Sequence, residues 1–265
     1  MSLPGYTDFP FTADGITHTV YQKGDASQPG VLLMHELPGM TPECLALAER
    51  LHNDGLTVYL PLFFGRPNTV AFVDYTLRVC ISREFYLLAS RQSSPITGWL
   101  RALCREIHAR CGGRGVGAIG MCLTGGFALS LLVDASVMAP VLSQPSLPLG
   151  VTRGRQAELG LAPEELAAAQ MRVEAENIPV LALRFTGDRL CPAARFDSLR
   201  AAFGDRLQTI EIDSSPGNPH GIAPGAHSVL AGEFVNDPAH PTYQAYAAVM
   251  HMLKRQLRGE WPGDL

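Results

Sequence analysis

The stretch Gly115–Ser130, Gly-Val-Gly-Ala-Ile-Gly-Met-Cys-Leu-Thr-Gly-Gly-Phe-Ala-Leu-Ser, most constrains how this chain can fold. Val116 to Ile119 is short, apolar and glycine-flanked, the pattern of a strand buried on both faces. Leu123 to Val133 is a longer apolar run rich in Ala and Leu, the pattern of a buried helix. Cys122 lies between them with glycine on both sides. A strand that turns sharply into a helix through Gly-x-nucleophile lifts the nucleophile above a sheet edge, where the helix N-terminus favours thiolate. A packed cysteine in a tight β–α turn shows the same local pattern, so this stretch alone leaves both readings open.

The flanking sequence supplies the sheet. Residues 1–15 read as an irregular lead-in. Ile16 to Gln22 alternates and reads as an early strand. Val31 to Met34 is a central strand ending at His35-Glu36. Thr41-Pro42-Glu43 starts a helix, with Thr as cap and Pro at the first helical position. Leu56 to Leu60 is the next strand, which completes a βαβ unit. Residues 61–94 read as an insertion near the site. Ile96 to Arg110 is helical with Trp99, Leu103 and Ile107 on one face. Further strands follow at Met138–Leu142, Val180–Phe185 and Leu207–Ile212, with helices near 162–176, 191–203 and 241–257 and a proline-rich segment at 143–150. About seven strands alternating with helices predict a single α/β domain over residues 1–265, a doubly wound, mostly parallel sheet with helices on both faces. Its ligand site then falls at the carboxyl ends of the strands.

The net charge of −4 and pI near 6.1 point away from nucleic acid and anionic membranes as partners. The N-terminus lacks the pattern of a signal peptide, and no apolar run is long enough for a membrane span. The six cysteines are scattered with no Cys-x-x-Cys pair. A reduced, cytoplasmic setting is the expectation.

Three polar residues fall at the predicted site edge. Cys122 follows one strand, Asp188 follows Val180–Phe185, and His227 lies in the loop after Leu207–Ile212. Their order is nucleophile, acid, histidine. The chemistry needs a thiol that can ionise, an imidazole that moves its proton, and a carboxylate that holds the imidazole's tautomer. His220 shares the loop with His227 and is the alternative base. Glu36 ends a central strand, where its carboxylate can control the thiol proton. The backbone N–H groups of Leu37 and Leu123 stand where an oxyanion hole is built in such folds. No metal or cofactor is expected. His35-Glu36 is followed by Gly39 where a zinc-protease motif needs histidine, and His220, His227 and His240 lack the spacing of metal ligands.

At these residues the chain resembles the dienelactone hydrolase family of α/β-hydrolases, over about residues 16–257. Gly120-Met-Cys122-Leu-Thr-Gly-Gly resembles the family's cysteine elbow. His35-Glu36-Leu37-Pro-Gly resembles its early strand-end motif, whose glutamate contacts the resting nucleophile, and Gly225-Ala226-His227-Ser228 resembles its histidine turn. The resemblance implies an α/β-hydrolase fold, a Cys122–His227–Asp188 triad, and cofactor-free hydrolysis of a small ester or lactone, of the carboxymethylenebutenolidase type, through a thioester. Thioesterase or acyltransferase activity, and a non-catalytic ligand-binding or redox-sensing role, are the alternatives. Thr124 stands where the family has glycine, which predicts a looser turn. The family's arginine after the histidine is missing from Ser228-Val-Leu-Ala, which leaves Arg83 or Arg66 to hold a substrate carboxylate.

Overall fold

The computed structural model describes residues 3–69, 94–150 and 152–258. Arg83 and most of the 61–94 insertion lie outside them. The described elements are β1 (Thr7–Ala13), β2 (Ile16–Lys23), β3 (Gly30–Met34), α1 (Pro42–Asn53), β4 (Thr57–Pro61), α2 (Ile96–Cys111), β5 (Val116–Met121), α3 (Phe127–Leu131), β6 (Val137–Ser143), α4 (Arg153–Gln156), α5 (Pro163–Glu176), β7 (Val180–Phe185), α6 (Ala193–Phe203), β8 (Leu207–Ile212) and α7 (Pro241–Arg258). The strands form one sheet in the order β1-β2-β4-β3-β5-β6-β7-β8. From β4 through β8 every pairing is parallel, whereas β1–β2 and β2–β4 are antiparallel.

Burial explains why the central strands read as apolar runs. Every residue of β3, β4, β5, β6 and β7 is buried, as parallel strands covered by helices must be. The β3–α1–β4 crossover steps one way along the sheet, and β5 to β8 step the other way. Right-handed crossovers therefore put α1 on one face and α2, α3, α5 and α6 on the opposite one, while α7, which follows the last strand, packs on the α1 face. The contacts agree. Tyr246 of α7 donates to Asp54 at the end of α1 at 2.5 Å, while Arg101 of α2 reaches both Ser130 O of α3 and Glu165 of α5 at 2.7 Å. Strand order reverses beside β3, so β3 and β5 flank the switch point where ligands bind in such sheets.

Two expectations are corrected. The first residues are not an irregular lead-in but the edge strand β1. Its residues alternate in burial, and Asp14-Gly15, both at positive φ, make a two-residue hairpin into β2. Trp99 fixes this strand by donating to Phe11 O at 3.2 Å and packing edge-on against the Phe11 ring. The second correction is the long helix expected after Cys122. A 3-10 turn, Cys122–Thr124, comes first and the helix proper spans only Phe127–Leu131. The Cys122 carbonyl accepts Gly125 N at 3.0 Å, closing a tight turn, and the flexible Gly125-Gly126 pair does not favour extending it as an α-helix. Among the described residues no helix is long and apolar enough to cross a membrane.

Candidate active site

Cys122 sits at φ +53°, a left-handed conformation that side chains rarely adopt. Two glycines make this turn sterically possible. A Cβ on Gly120 would lie 2.2 Å from the Thr124 carbonyl oxygen, and one on Gly125 would lie 2.6 Å from Pro145 Cα. The Cys122 carbonyl is held from a second side by Ser146 N at 2.9 Å. Thr124 does not loosen the turn as expected. Its buried hydroxyl accepts from Met121 N at 2.9 Å, and its proton has Met34 O at 3.0 Å and Met121 O at 2.9 Å in reach. The threonine thus pins the end of β5 to the end of β3, closing the elbow with hydrogen bonds that a glycine cannot make.

Asp188 follows β7 and is buried. Its Oδ1 accepts from Leu190 N at 2.9 Å and Cys191 N at 3.3 Å, which leaves Oδ2 to accept from His227 Nδ1 at 2.6 Å. The other ring nitrogen, Nε2, is buried with no hydrogen-bond partner. A Glu36 carboxylate oxygen, Cys122 Sγ and a His227 ring nitrogen all lie within 4.8 Å of one another. Burial works against a charged His227, but the hydrogen bond to Asp188 and the electrostatic pull of Cys122 and Asp188 outweigh it. The imidazole is pushed up to about 10. His220 is exposed and stacks edge-on with His240 at 5.5 Å, away from this cluster.

Glu36 continues from β3 and is buried. Its Oε2 accepts from Gln144 Nε2 at 3.0 Å and its Oε1 from the Ser228 hydroxyl. Burial pushes the carboxyl up, while Ser228, His227 and Gln144 oppose the shift. His35 holds the same loop from behind. Its Nε2 accepts from Phe63 N at 3.2 Å, so the proton sits on Nδ1 and is donated to Glu36 O at 3.1 Å. Burial among Phe63 and Phe64 pushes His35 down to about 4, so it stays neutral.

Leu37 follows Glu36 directly. Leu123 is the second residue of the 3-10 turn, so its N–H has no carbonyl three residues earlier within the turn. Arg66 is exposed on the loop after β4. Sequence reasoning missed Gln144, Ser228 and His35 as site residues. Ser228 adjoins His227 in the chain, which is a usable signal, but nothing local to Gln144 marks it. Among the described residues, Glu36, Cys122 and His227 are the only group of metal-ligand types close enough to share an ion. With His227 committed to Asp188, and Glu36 to Ser228 and Gln144, the arrangement suits proton transfer.

A parallel sheet with a strained strand-end cysteine, and a His–Asp pair presented by the loops after later strands, defines an α/β-hydrolase. The chain belongs to the dienelactone hydrolase family, whose model matches residues 16–257. Solved structures agree at the level of fold. A candidate dienelactone hydrolase from Klebsiella pneumoniae is 15% identical with a TM-score of 0.63, covering 93% of this chain and 98% of that one. A dienelactone hydrolase from Anabaena variabilis is 16% identical with a TM-score of 0.62, covering 96% and 100%. A cold-adapted esterase from an Arctic intertidal metagenomic library is 16% identical with a TM-score of 0.61, covering 97% of each chain. No curated protein sequence matches the chain.

Proposed function

We propose that the protein hydrolyses a small carboxylic ester or lactone, with Cys122 as nucleophile. The observation that carries this reading is His227, held by Asp188 at 2.6 Å on one side and close to the strained Cys122 on the other. Cys122 attacks the carbonyl carbon as thiolate, paired with the His227 imidazolium. The Leu37 and Leu123 N–H groups receive the developing oxyanion. His227 Nε2 gives its proton to the departing alkoxide, leaving a thioester on Cys122 and a neutral imidazole. That imidazole takes a proton from water as the water attacks the thioester, and collapse expels the thiolate and the acid product. Asp188 keeps the imidazole proton on Nδ1 throughout, and Glu36 governs the resting thiol. Arg66 and Arg83 are the cations suited to a carboxylate on the acyl group.

Cys122→Ala tests this on a small aryl ester. Hydrolysis should fall by about 1,000-fold or more, as it does when a covalent nucleophile is removed, and wild-type turnover in the variant refutes the assignment. Adding a competing alcohol or thiol separates hydrolysis from acyl transfer by the product formed. A reactive Cys122 without turnover of an ester panel would favour the sensing role instead.

A further inference from the structure

His35 takes no part in the proton transfers at Cys122 and His227, yet it is fully buried and doubly bonded. The Phe63 N–H can only donate, so Nε2, 3.2 Å away, carries no proton. The neutral ring therefore has its proton on Nδ1, which donates to Glu36 O at 3.1 Å. Gly39 N donates to the same oxygen at 2.7 Å. That carbonyl belongs to the peptide group whose nitrogen is Leu37 N. The peptide is trans, so its C=O and N–H point in opposite directions. In the sheet, β3 lies between β4 and β5. The carbonyl is held by a ring anchored to Phe63, just after β4. The Leu37 N–H is thereby turned toward the β5 side, where Cys122 follows that strand. It meets no hydrogen-bond acceptor among the described residues. The Thr124 hydroxyl, 3.0 Å from Met34 O, ties the elbow to the residue before His35. The two loops that carry the N–H groups of Leu37 and Leu123 are thus held together.

We propose, on the reading of Cys122 as nucleophile and Leu37 N–H as an oxyanion donor, that His35 is a positioning residue for the oxyanion hole, whose Nδ1–H fixes the Glu36–Leu37 peptide so that its N–H faces the reacting carbonyl. As the Cys122 sulfur bonds to the carbonyl carbon, the π pair moves onto oxygen and that oxygen takes the two N–H bonds. A donor already aimed at this charge needs no reorganisation when the charge appears. The hydrogen bond at Glu36 O also polarises the peptide and strengthens its N–H as a donor. With its pKa pushed down to about 4 by burial, the ring keeps this single protonated nitrogen across neutral pH. The role needs the donor at Nδ1, whereas packing between Phe63 and Phe64 needs only the ring's volume.

Two amide variants separate these roles, because each replaces one ring nitrogen. His35→Asn puts an NH2 near the Nδ1 position and keeps the bond to Glu36 O while losing Phe63 N. His35→Gln reaches the Nε2 position, keeps Phe63 N and loses Glu36 O. On a small aryl ester, kcat/KM of His35→Gln should fall by about 10- to 100-fold, part of what losing a whole oxyanion donor costs. His35→Asn should stay near the wild type. A packing role reverses that order, since asparagine leaves the larger cavity. Methylation of Cys122 by iodomethane forms no oxyanion, so both variants should react at the wild-type rate. In the wild-type protein, 15N NMR should show His35 protonated at Nδ1 and bare at Nε2 at neutral pH. Wild-type hydrolysis by His35→Gln, or His35→Asn falling as far as His35→Gln, overturns the proposal. So does methylation slowed as much as hydrolysis, or a proton on Nε2, and the NMR result decides even where a variant fails to fold. Wild-type protein methylated at Cys122 that still hydrolyses the ester refutes the nucleophile reading itself, which is a separate result.

Discussion

Asp188→Asn is the sharpest single perturbation of the site, because the structure dictates how the new amide must lie. Asp188 Oδ1 accepts from Leu190 N at 2.9 Å and Cys191 N at 3.3 Å. An asparagine there keeps its carbonyl oxygen on those two donors, so its NH2 faces His227 Nδ1. The imidazole must then accept at Nδ1 and carry its proton on Nε2, the nitrogen next to Cys122. In that tautomer it can neither take a proton from water nor, without the Asp188 charge, remain imidazolium beside a thiolate. In serine-protease triads the same exchange costs about 10,000-fold in turnover with geometry intact. A loss of about 1,000- to 10,000-fold in kcat/KM is expected here, equivalent to about 4–5.5 kcal/mol of transition-state stabilisation. Folding should barely change, since the Leu190 and Cys191 bonds survive. Asp188→Ala strips both donors and should cost a further 1–3 kcal/mol or so of stability. The assay is initial-rate hydrolysis of a small aryl ester, with thermal melts of each variant. Asp188→Asn turnover within tenfold of the wild type, in a folded protein, would refute the tautomer argument.

Two more predictions follow from the same contacts. Thr124→Val leaves the buried Met121 N–H and Met34 O without the hydroxyl, and should destabilise the protein by about 1–3 kcal/mol in chemical denaturation, whereas Thr124→Ser should stay near wild type. His227 is raised above its ordinary value of 6.5 to about 10 in the folded state. Its contribution to stability is therefore fully present below pH 6.5 and lost as pH rises toward 10, on the order of 3–5 kcal/mol. Denaturation midpoints across that range should fall in the wild type and flatten in Asp188→Asn.

Much of the sheet was legible because each buried strand is an apolar run stopped by a residue that cannot continue it. Val180–Phe185 and Leu207–Ile212 have the expected bounds, and α1 starts at the Thr41 cap and Pro42 as the residues require. The edge strand β1 was hidden because half of it faces solvent and Pro10 interrupts its pattern. Asp14-Gly15 was the signal, a hairpin pair whose positive φ values the structure records. The helix after Cys122 was overextended because its apolar residues are buried for tertiary reasons, whereas its length is set locally by the Gly125-Gly126 pair and by Pro145 packed on Gly125.

The site divides along a similar line. Cys122, Asp188, His227 and Glu36 can be nominated from sequence because each stands at the end of a recognisable strand or in the loop after one, and parallel topology brings those ends to one edge. The residues that orient them have no such marker. Gln144 reaches Glu36 across 108 positions and Ser228 across 192, and each is defined by the donor or acceptor it faces. Thr124 shows why a motif letter misleads when taken alone. A glycine at that position would relieve the turn sterically, but here the steric relief comes from Gly120 and Gly125, which frees position 124 for a hydroxyl that joins β3 to β5. The strained cysteine sits in a turn held by those hydrogen bonds, with its sulfur within 4.8 Å of a His227 ring nitrogen.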